Sequence, residues 1–422
     1  IQDVVPYTGN NAPEKQWQFS QEFQALGKVG DFNYLLGMYY FYEKSSESNQ
    51  QALTIVTPVT GLPFLGFPQS VADGIAALNP GLATVGVNAN PVQAFGGTSQ
   101  SMAVFGQVSW RPSSLDEKLE VTLGARHTAD DKTIYLAGDV SPVQRGRRSF
   151  DNFSWLASVS YEVIDDVMVY GRVSTGYRSG GINPRAGVIK GFNPEKATAY
   201  EAGIKSQWFD NRLRLNVAGY VTDYNDLQVQ QFAAGSGGAT SLIVNAGKVR
   251  LSGFEAELTA LPFTGFQIDG SVGYVKTDYK TFLFRDPGTN TLLDVADQAK
   301  PLYTPKWNVH LGAEYSHPIG GGDKLVRLRG DFSYRTKIYF NALNNTAPFN
   351  ENIVSPSQTN VKARLSVEGL DLGGGKLDVG VWGDNLLNQK RLVYGIDFGA
   401  LGFAGATFNK PISYGVDAKI SF

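Results

Sequence analysis

The last nine residues, Tyr414-Gly-Val-Asp-Ala-Lys-Ile-Ser-Phe422, alternate without a break between apolar and polar side chains. A strand repeats every two residues, so Tyr414, Val416, Ala418, Ile420 and Phe422 share one face, and Gly415, Asp417, Lys419 and Ser421 share the other. The same pattern recurs upstream about fifteen times, in segments of roughly ten to fourteen residues, about the length a tilted strand needs to cross a bilayer. This repetition leaves few folds open. It predicts an all-β chain, an antiparallel up-and-down transmembrane β-barrel.

Strands are predicted at 17–26, 31–43, 100–110, 117–128, 152–162, 166–177, 196–208 and 211–224. Others are predicted at 249–261, 266–278, 305–316, 324–338, 359–369, 375–386 and 414–422. Short joints at 27–30, 111–116, 163–165, 209–210, 262–265, 317–323 and 370–374 alternate with long ones at 44–99, 129–150, 178–195, 225–248, 279–304, 339–358 and 387–413. A barrel with tight periplasmic turns and long extracellular loops gives this rhythm, whereas a soluble sandwich has no reason to gather its long loops at one end. Residues 70–78, inside the longest joint, read as a short helix. Trp17, Trp110, Trp208 and Tyr315 are read as an interfacial girdle beside the short turns, on one rim.

Composition agrees. Charged residues are 18%, there are 48 glycines and no cysteine, and a net charge of −2 without a basic cluster gives no case for nucleic acid. No run of eighteen apolar residues offers a helical span. The three histidines, His127, His310 and His317, lack metal-ligand spacing, and the Gly-Gly-Gly stretches at 320–322 and 373–375 read as turns. Neither a metal nor a cofactor is expected. Glu255 and Glu257 share a strand face at a spacing open to acid–base chemistry, yet a charged barrel wall accounts for them without catalysis. No catalytic residue is assigned.

Several segments resemble the TonB-dependent outer-membrane receptors, and the resemblance covers nearly the whole chain. The segments are Tyr177-Arg-Ser-Gly-Gly-Ile-Asn-Pro184, Phe192-Asn-Pro-Glu-Lys-Ala197, Tyr200-Glu-Ala-Gly-Ile-Lys205, Gly253-Phe-Glu-Ala-Glu257, and Gly383-Asp-Asn-Leu-Leu-Asn388 followed by Pro411 and Tyr414-Gly415. The resemblance implies a barrel of twenty-two strands, of which about fifteen are visible. Residues 1–422 would then be a partial barrel domain without the plug, the energy-coupling box and the first strands, with an export signal once upstream of Ile1. It also implies a receptor in the outer membrane of a Gram-negative bacterium. Its activity would be uptake of a scarce nutrient, foremost an iron–siderophore complex; the alternatives are a carbohydrate or vitamin receptor, or a passive porin. The implied partners are outer-membrane lipid, the inner-membrane TonB complex acting through the plug, the β-barrel assembly machinery and a small nutrient ligand. Arg178, Asn183, Arg185, Tyr224, Gln228, Gln230, Asn341 and Asn344 are the implied apical contacts to that ligand. Arg172, Glu201, Lys205, Arg214, Glu255, Glu257, Arg327, Arg329 and Arg364 are expected on the lumen wall facing the plug. Tyr414, Ile420 and Phe422 carry the implied assembly signal.

Overall fold

In the computed structural model the chain is one long antiparallel meander. The structure describes residues 4–11, 14–59, 69–78, 80–81, 84–89, 92–138, 143–183, 190–235, 238–285, 291–320, 323–344, 348–398 and 403–422. Fifteen strands pair in chain order. They are β1 Lys15–Val29, β2 Phe32–Pro58, β3 Val92–Trp110, β4 Leu119–Gly138, β5 Gln144–Ile164, β6 Val167–Arg178, β7 Glu195–Trp208 and β8 Leu213–Asn225. The series continues with β9 Gly247–Phe263, β10 Phe266–Arg285, β11 Trp307–Pro318, β12 Leu325–Arg335, β13 Gln358–Asp371, β14 Lys376–Asp384 and β15 Ser413–Ser421. Each predicted strand has its counterpart. Among the described residues, β1 pairs only with β2, and β15 only with β14.

The short joints are tight because their residues accept left-handed backbone. Gly30 links β1 to β2 with φ +56, and Phe209, Asp210 and Asn211 take φ of 57, 55 and 65 between β7 and β8. Neighbouring short turns also clasp one another. The Ser113 hydroxyl donates to the Asp31 carboxylate, and this bond holds the Asp31 carboxyl below its ordinary range. Lys376 donates to Asp323 across two turns, which depresses the Asp323 carboxyl and raises the Lys376 ammonium.

The sign of each shift sets a pH window. The Asp323 contribution is present above its unfolded value of 3.8 and is lost as pH falls through the depressed one; the Lys376 contribution is present below 10.5 and is lost as pH rises through the raised one. Amide exchange around these turns, corrected for its intrinsic rate, should therefore be flat from about pH 5 to 9 and accelerate in acid. An acceleration already near neutral pH would contradict the clasp.

The long joints differ from expectation. The joint read as loop 44–99 is in large part strand: β2 continues to Pro58 and pairs with β3 from Gln50↔Val92 downward. Val4–Asn11 and Thr84–Ala89 lie against the same extension. Helix α1, Gln69–Leu78, occupies the predicted short helix. The joint 225–248 is a hairpin, Gln228–Gly235 with Gly238–Asn245, and 387–413 contains another, Leu392–Phe398 with Phe403–Phe408. Strands thus outlast the apolar alternation by which they were found.

The girdle needs one correction. Trp110 stacks on Phe32 at 6.4 Å and Trp208 ends β7, both beside short turns; Tyr315 lies 6.3 Å from Phe263, which stacks on Phe266 at 5.0 Å. Trp17, however, stands opposite Lys44 at the other end of β1, 5.7 Å from Tyr42. It belongs to a second aromatic row with Tyr274 and Trp307, whose centroids are 4.7 Å apart. On β10, Phe266 and Tyr274 are eight residues apart, roughly 26 Å along the strand at about 3.3 Å per residue. That span is comparable to the apolar band, about 25 Å tall, of outer-membrane barrels.

Between the rows the apolar face is bare. Phe23, Leu36, Met38, Val104, Leu123, Ile204, Leu311, Val381 and Val416 are all exposed, and Phe422 is fully so. Such a surface is stable only against hydrocarbon. The buried hydrophobic residues gather instead at the long-loop end, where Val229, Ala246, Phe282, Phe284, Val295, Ala342 and Leu343 form a small core.

Candidate functional site

The polar face of β10 to β15 carries a continuous ladder of charge. Alternation puts Asp269, His310, Arg329, Asp331 and Arg364 on that face, and the register brings Arg329 beside Glu314 and Arg364. The Arg329 guanidinium donates to both Asp269 oxygens at 2.8 and 3.1 Å, and to Asp331 Oδ1 at 2.7 Å. His310 Nε2 lies 3.4 Å from Asp269 Oδ2 and 3.8 Å from Asp331 Oδ1. Arg327 grips Glu368 with two bonds of 3.1 and 3.2 Å and also donates to Glu314. Arg364 reaches Asp417 on β15, with Nη2 donating to Oδ1 at 2.7 Å. Planar forks facing carboxylates give short charge-assisted pairs with fixed direction, so the ladder stiffens six adjacent strands.

A second group lies on β6 and β7. Tyr170 donates to Glu201 Oε1 at 2.7 Å, Arg172 Nη2 is 3.8 Å from Glu201 Oε2, and Lys205 Nζ sits 5.7 Å from the Tyr170 ring centroid. The edge and hydroxyl of Tyr170 also sit against Gly203, where a Cβ would come within 2.7 Å of the ring. Tyr220 covers Gly253 in the same manner, at 2.8 Å from its hydroxyl. Arg214, Glu255 and Glu257 share this face; among the described residues none of the three has an ion-pair partner within 4 Å.

The predicted ligand contacts fall into two sets. Asn183 is buried, and its side-chain amide both donates to and accepts from the backbone of Ile243, at 2.8 Å each. The Gln228 side chain donates to the carbonyls of Ser179 and Asn193 at 3.0 Å. Asn341 O and Asn344 Oδ1 each accept from Asn350 Nδ2 at 3.0 Å. Asn183 and Gln228 thus hold two loops to one another, while Asn341 and Asn344 brace the turn of their own loop. Arg178 and Gln230 are exposed at the long-loop end, and Tyr224 is half-buried on the polar face opposite Ala197. Arg185 lies outside the described residues. On β15, Tyr414 and Ile420 are exposed on the apolar face with Phe422 beyond them.

Sequence reasoning passed over Arg391. This loop residue donates from Nη2 to Asn360 Oδ1 at 2.7 Å and to Asn385 Oδ1 at 2.9 Å, and burial pushes its guanidinium down. Asn385, with φ +55, also accepts from Gln389 N at 3.0 Å and donates to the Lys410 carbonyl at 3.2 Å. The Gly383–Asn388 motif was visible as a resemblance; its physical role is this left-handed turn tying the last two strands together. No local pattern pointed to Arg391, because its partners are 31 and 6 residues away.

A family model described as TonB dependent receptor-like, beta-barrel, matches residues 3–386. The chain belongs to the TonB-dependent receptor β-barrel family. This is a family of transport receptors of the Gram-negative outer membrane. The pesticin receptor of Yersinia enterocolitica is 27% identical over 183 residues, which are 42% of this chain and 26% of that protein. The ferric-pyoverdine M114 receptor of a Pseudomonas strain is 26% identical over 179 residues, 41% of this chain and 21% of that protein. Among solved structures, the ferric yersiniabactin uptake receptor of Yersinia pestis superposes with a TM-score of 0.73 at 19% identity, covering 99% of this chain and 56% of that one. A siderophore receptor of Acinetobacter baumannii gives 0.66 at 15% identity, covering 97% and 56%. These superpositions establish the fold. This TonB-dependent chain spans just over half of those solved receptors, and its matched part is about a quarter of the pesticin receptor.

Proposed function

We propose that the chain forms most of the barrel wall of an energy-coupled importer whose cargo is an iron–siderophore complex. The observation that carries this reading is the ionic ladder from Asp269 to Asp417, six strands wide and set on the face opposite the lipid-ready side chains. A wall so braced suits a lumen that holds a plug and lets it rearrange without deforming the barrel. The free charges Arg214, Glu255 and Glu257 would meet that plug, which with the first strands and the energy-coupling box would lie outside residues 1–422. Arg178, Tyr224, Gln230 and Arg185 would touch the ligand at the long-loop end, while Asn183, Gln228, Asn341 and Asn344 hold the loops that frame it. Tyr414, Ile420 and Phe422 would present the strand read by the assembly machinery. Support for the cargo class comes from the relatives, whose names include ferric-pyoverdine and ferric yersiniabactin receptors.

The test is uptake of radioactive iron by a strain lacking the gene, supplied with single siderophores. Loss of uptake for one siderophore, restored by the gene but not in an energy-coupling mutant, is the expected result. Normal iron uptake on all of them, with a defect for a sugar or a vitamin instead, would overturn the cargo. Solute flux that persists without energy coupling would favour a passive porin.

A further inference from the structure

The polar wall differs from one group of strands to the next. On β10 to β15 its charges neutralise one another: Asp269, Glu314, Asp331, Glu368, Asp384 and Asp417 each meet an arginine or lysine of the same wall within 4 Å. Lys419 lies below this ladder, at the short-turn end of β15. On β8 and β9 the charges are not matched. Arg214, Glu255 and Glu257 are exposed, and among the described residues none has an ion-pair partner within 4 Å. Glu255 and Glu257 stand about 7 Å apart on one strand face, so each makes the other harder to cover. On β2 to β5 the same face is partly apolar. Leu35, Phe105 and Leu156 line a recess of about 420 Å³, and the Arg126 guanidinium beside it lies 5.6 Å from the Tyr39 ring centroid and 5.3 Å from that of Phe105.

Three such surfaces hold a covering plug unequally. A segment that shields Glu255 and Glu257 from water must bring a cation to them, and Arg214 asks for a carboxylate in the same way. Charge pairs closed off from water resist the withdrawal of one partner. The recess on β2 to β5 retains apolar side chains by burial. The ladder offers the least grip, because a carboxylate already bonded to a planar fork gains little from a third group. It also suits polar cargo in motion, since a passage must bind weakly enough to let go. On the importer reading, we propose that the plug stays held to β2–β9 while cargo crosses, and that the passage opens between the plug and the ladder strands β11–β14. The plug segment lying against β9 carries a lysine or arginine that faces Glu255 and Glu257.

A first test needs neither cargo nor energy coupling. In cells making the full-length receptor, the combination Arg214→Gln, Glu255→Gln and Glu257→Gln should loosen the plug. The inhibitory concentration of vancomycin, too large to cross an intact outer membrane, should then fall at least about fourfold, as expected when charge pairs across a covered surface are lost. Arg364→Gln with Asp417→Asn, which removes a ladder pair whole, should leave it at the wild-type value. Equal values for wild type and both variants overturn the proposal, as does a fall for the ladder variant as large as that for the triple one. Heat-modifiable migration on a gel certifies that each protein is folded, and Glu257→Gln alone serves if the triple variant is not.

A second test follows the passage itself. Residues 1–422 contain no cysteine, so Asn308→Cys and Ser333→Cys on the ladder side, and Asn216→Cys and Thr259→Cys on β8 and β9, report which wall is uncovered. In cells given the ferric siderophore that the uptake test finds to enter, a maleimide reagent should modify the first two about tenfold faster than in an energy-coupling mutant, while the other two stay slow, as local opening of one contact requires. Faster modification on β8 and β9, or on both walls alike, would overturn the proposal. So would unchanged rates at all four positions in importing cells. Should no ferric siderophore enter, the cargo reading fails, and the vancomycin values still decide where the plug is held.

Discussion

Replacing Phe282 by alanine is expected to loosen the extracellular loop cluster while the barrel wall stays folded. Phe282 has no exposed surface and sits among Val229, Ala246, Val295 and Leu343, which come from three separate joints. Truncating a buried phenylalanine costs about 3–5 kcal/mol, and a core of this size has few other contacts to absorb the loss. Because the cluster stands on strands held by their own hydrogen-bond ladders, the opening should be local. Limited proteolysis would show new cuts within 225–248 and 339–358, while the remaining fragment keeps its heat-modifiable migration. Ligand affinity should fall with the loops. Loops as protease-resistant as wild type would refute the idea that this core organises them.

Arg329→Met should be the most damaging single change on the polar face. It leaves Asp269 and Asp331 facing each other with only His310 between them. The side chains of Arg329, Asp269 and Asp331 are about a quarter exposed, at 27%, 26% and 27%. The cost therefore falls between that of a surface pair and that of a buried one, about 2 kcal/mol. Arg329→Lys should recover little of it, since an ammonium cannot span both carboxylates as the planar fork does. Urea unfolding in lipid vesicles gives the reading. The double variant Asp269→Asn with Arg329→Met should be more stable than Arg329→Met alone, because one stranded charge is removed with its partner. If the double variant is less stable than the single one, repulsion between the carboxylates is not the source of the loss.

How far the sequence could be read depended on where hydrocarbon imposes a period. Every membrane-crossing strand was legible, because one face must be apolar and the other need not be. β2 beyond Glu43 was not, since Ser45, Ser46 and Ser48 pair into the sheet without any apolar alternation. Trp17 was put on the wrong rim for a related reason: aromatics mark both interfaces, and only register tells which end of β1 it occupies. The loop core was invisible for another reason. Phe282, Val229 and Leu343 have no shared spacing and meet only because strand ends deliver their loops to one place. Charges on the polar face were legible as a set, but their pairing was not. Arg329 with Asp269 and Arg364 with Asp417 depend on register between strands 60 and 53 residues apart.

The rings laid over Gly203 and Gly253 bear on how wide the passage is. A tyrosine standing off the wall would take up room that a bulky cargo needs. Tyr170 and Tyr220 instead reach back onto it, each placing atoms where the side chain of a neighbouring glycine would stand. On the proposed transport reading, the wall therefore keeps aromatic adhesion between strands with less intrusion on the bore than a side chain on each glycine would force, and that clearance is written into residues that touch no cargo.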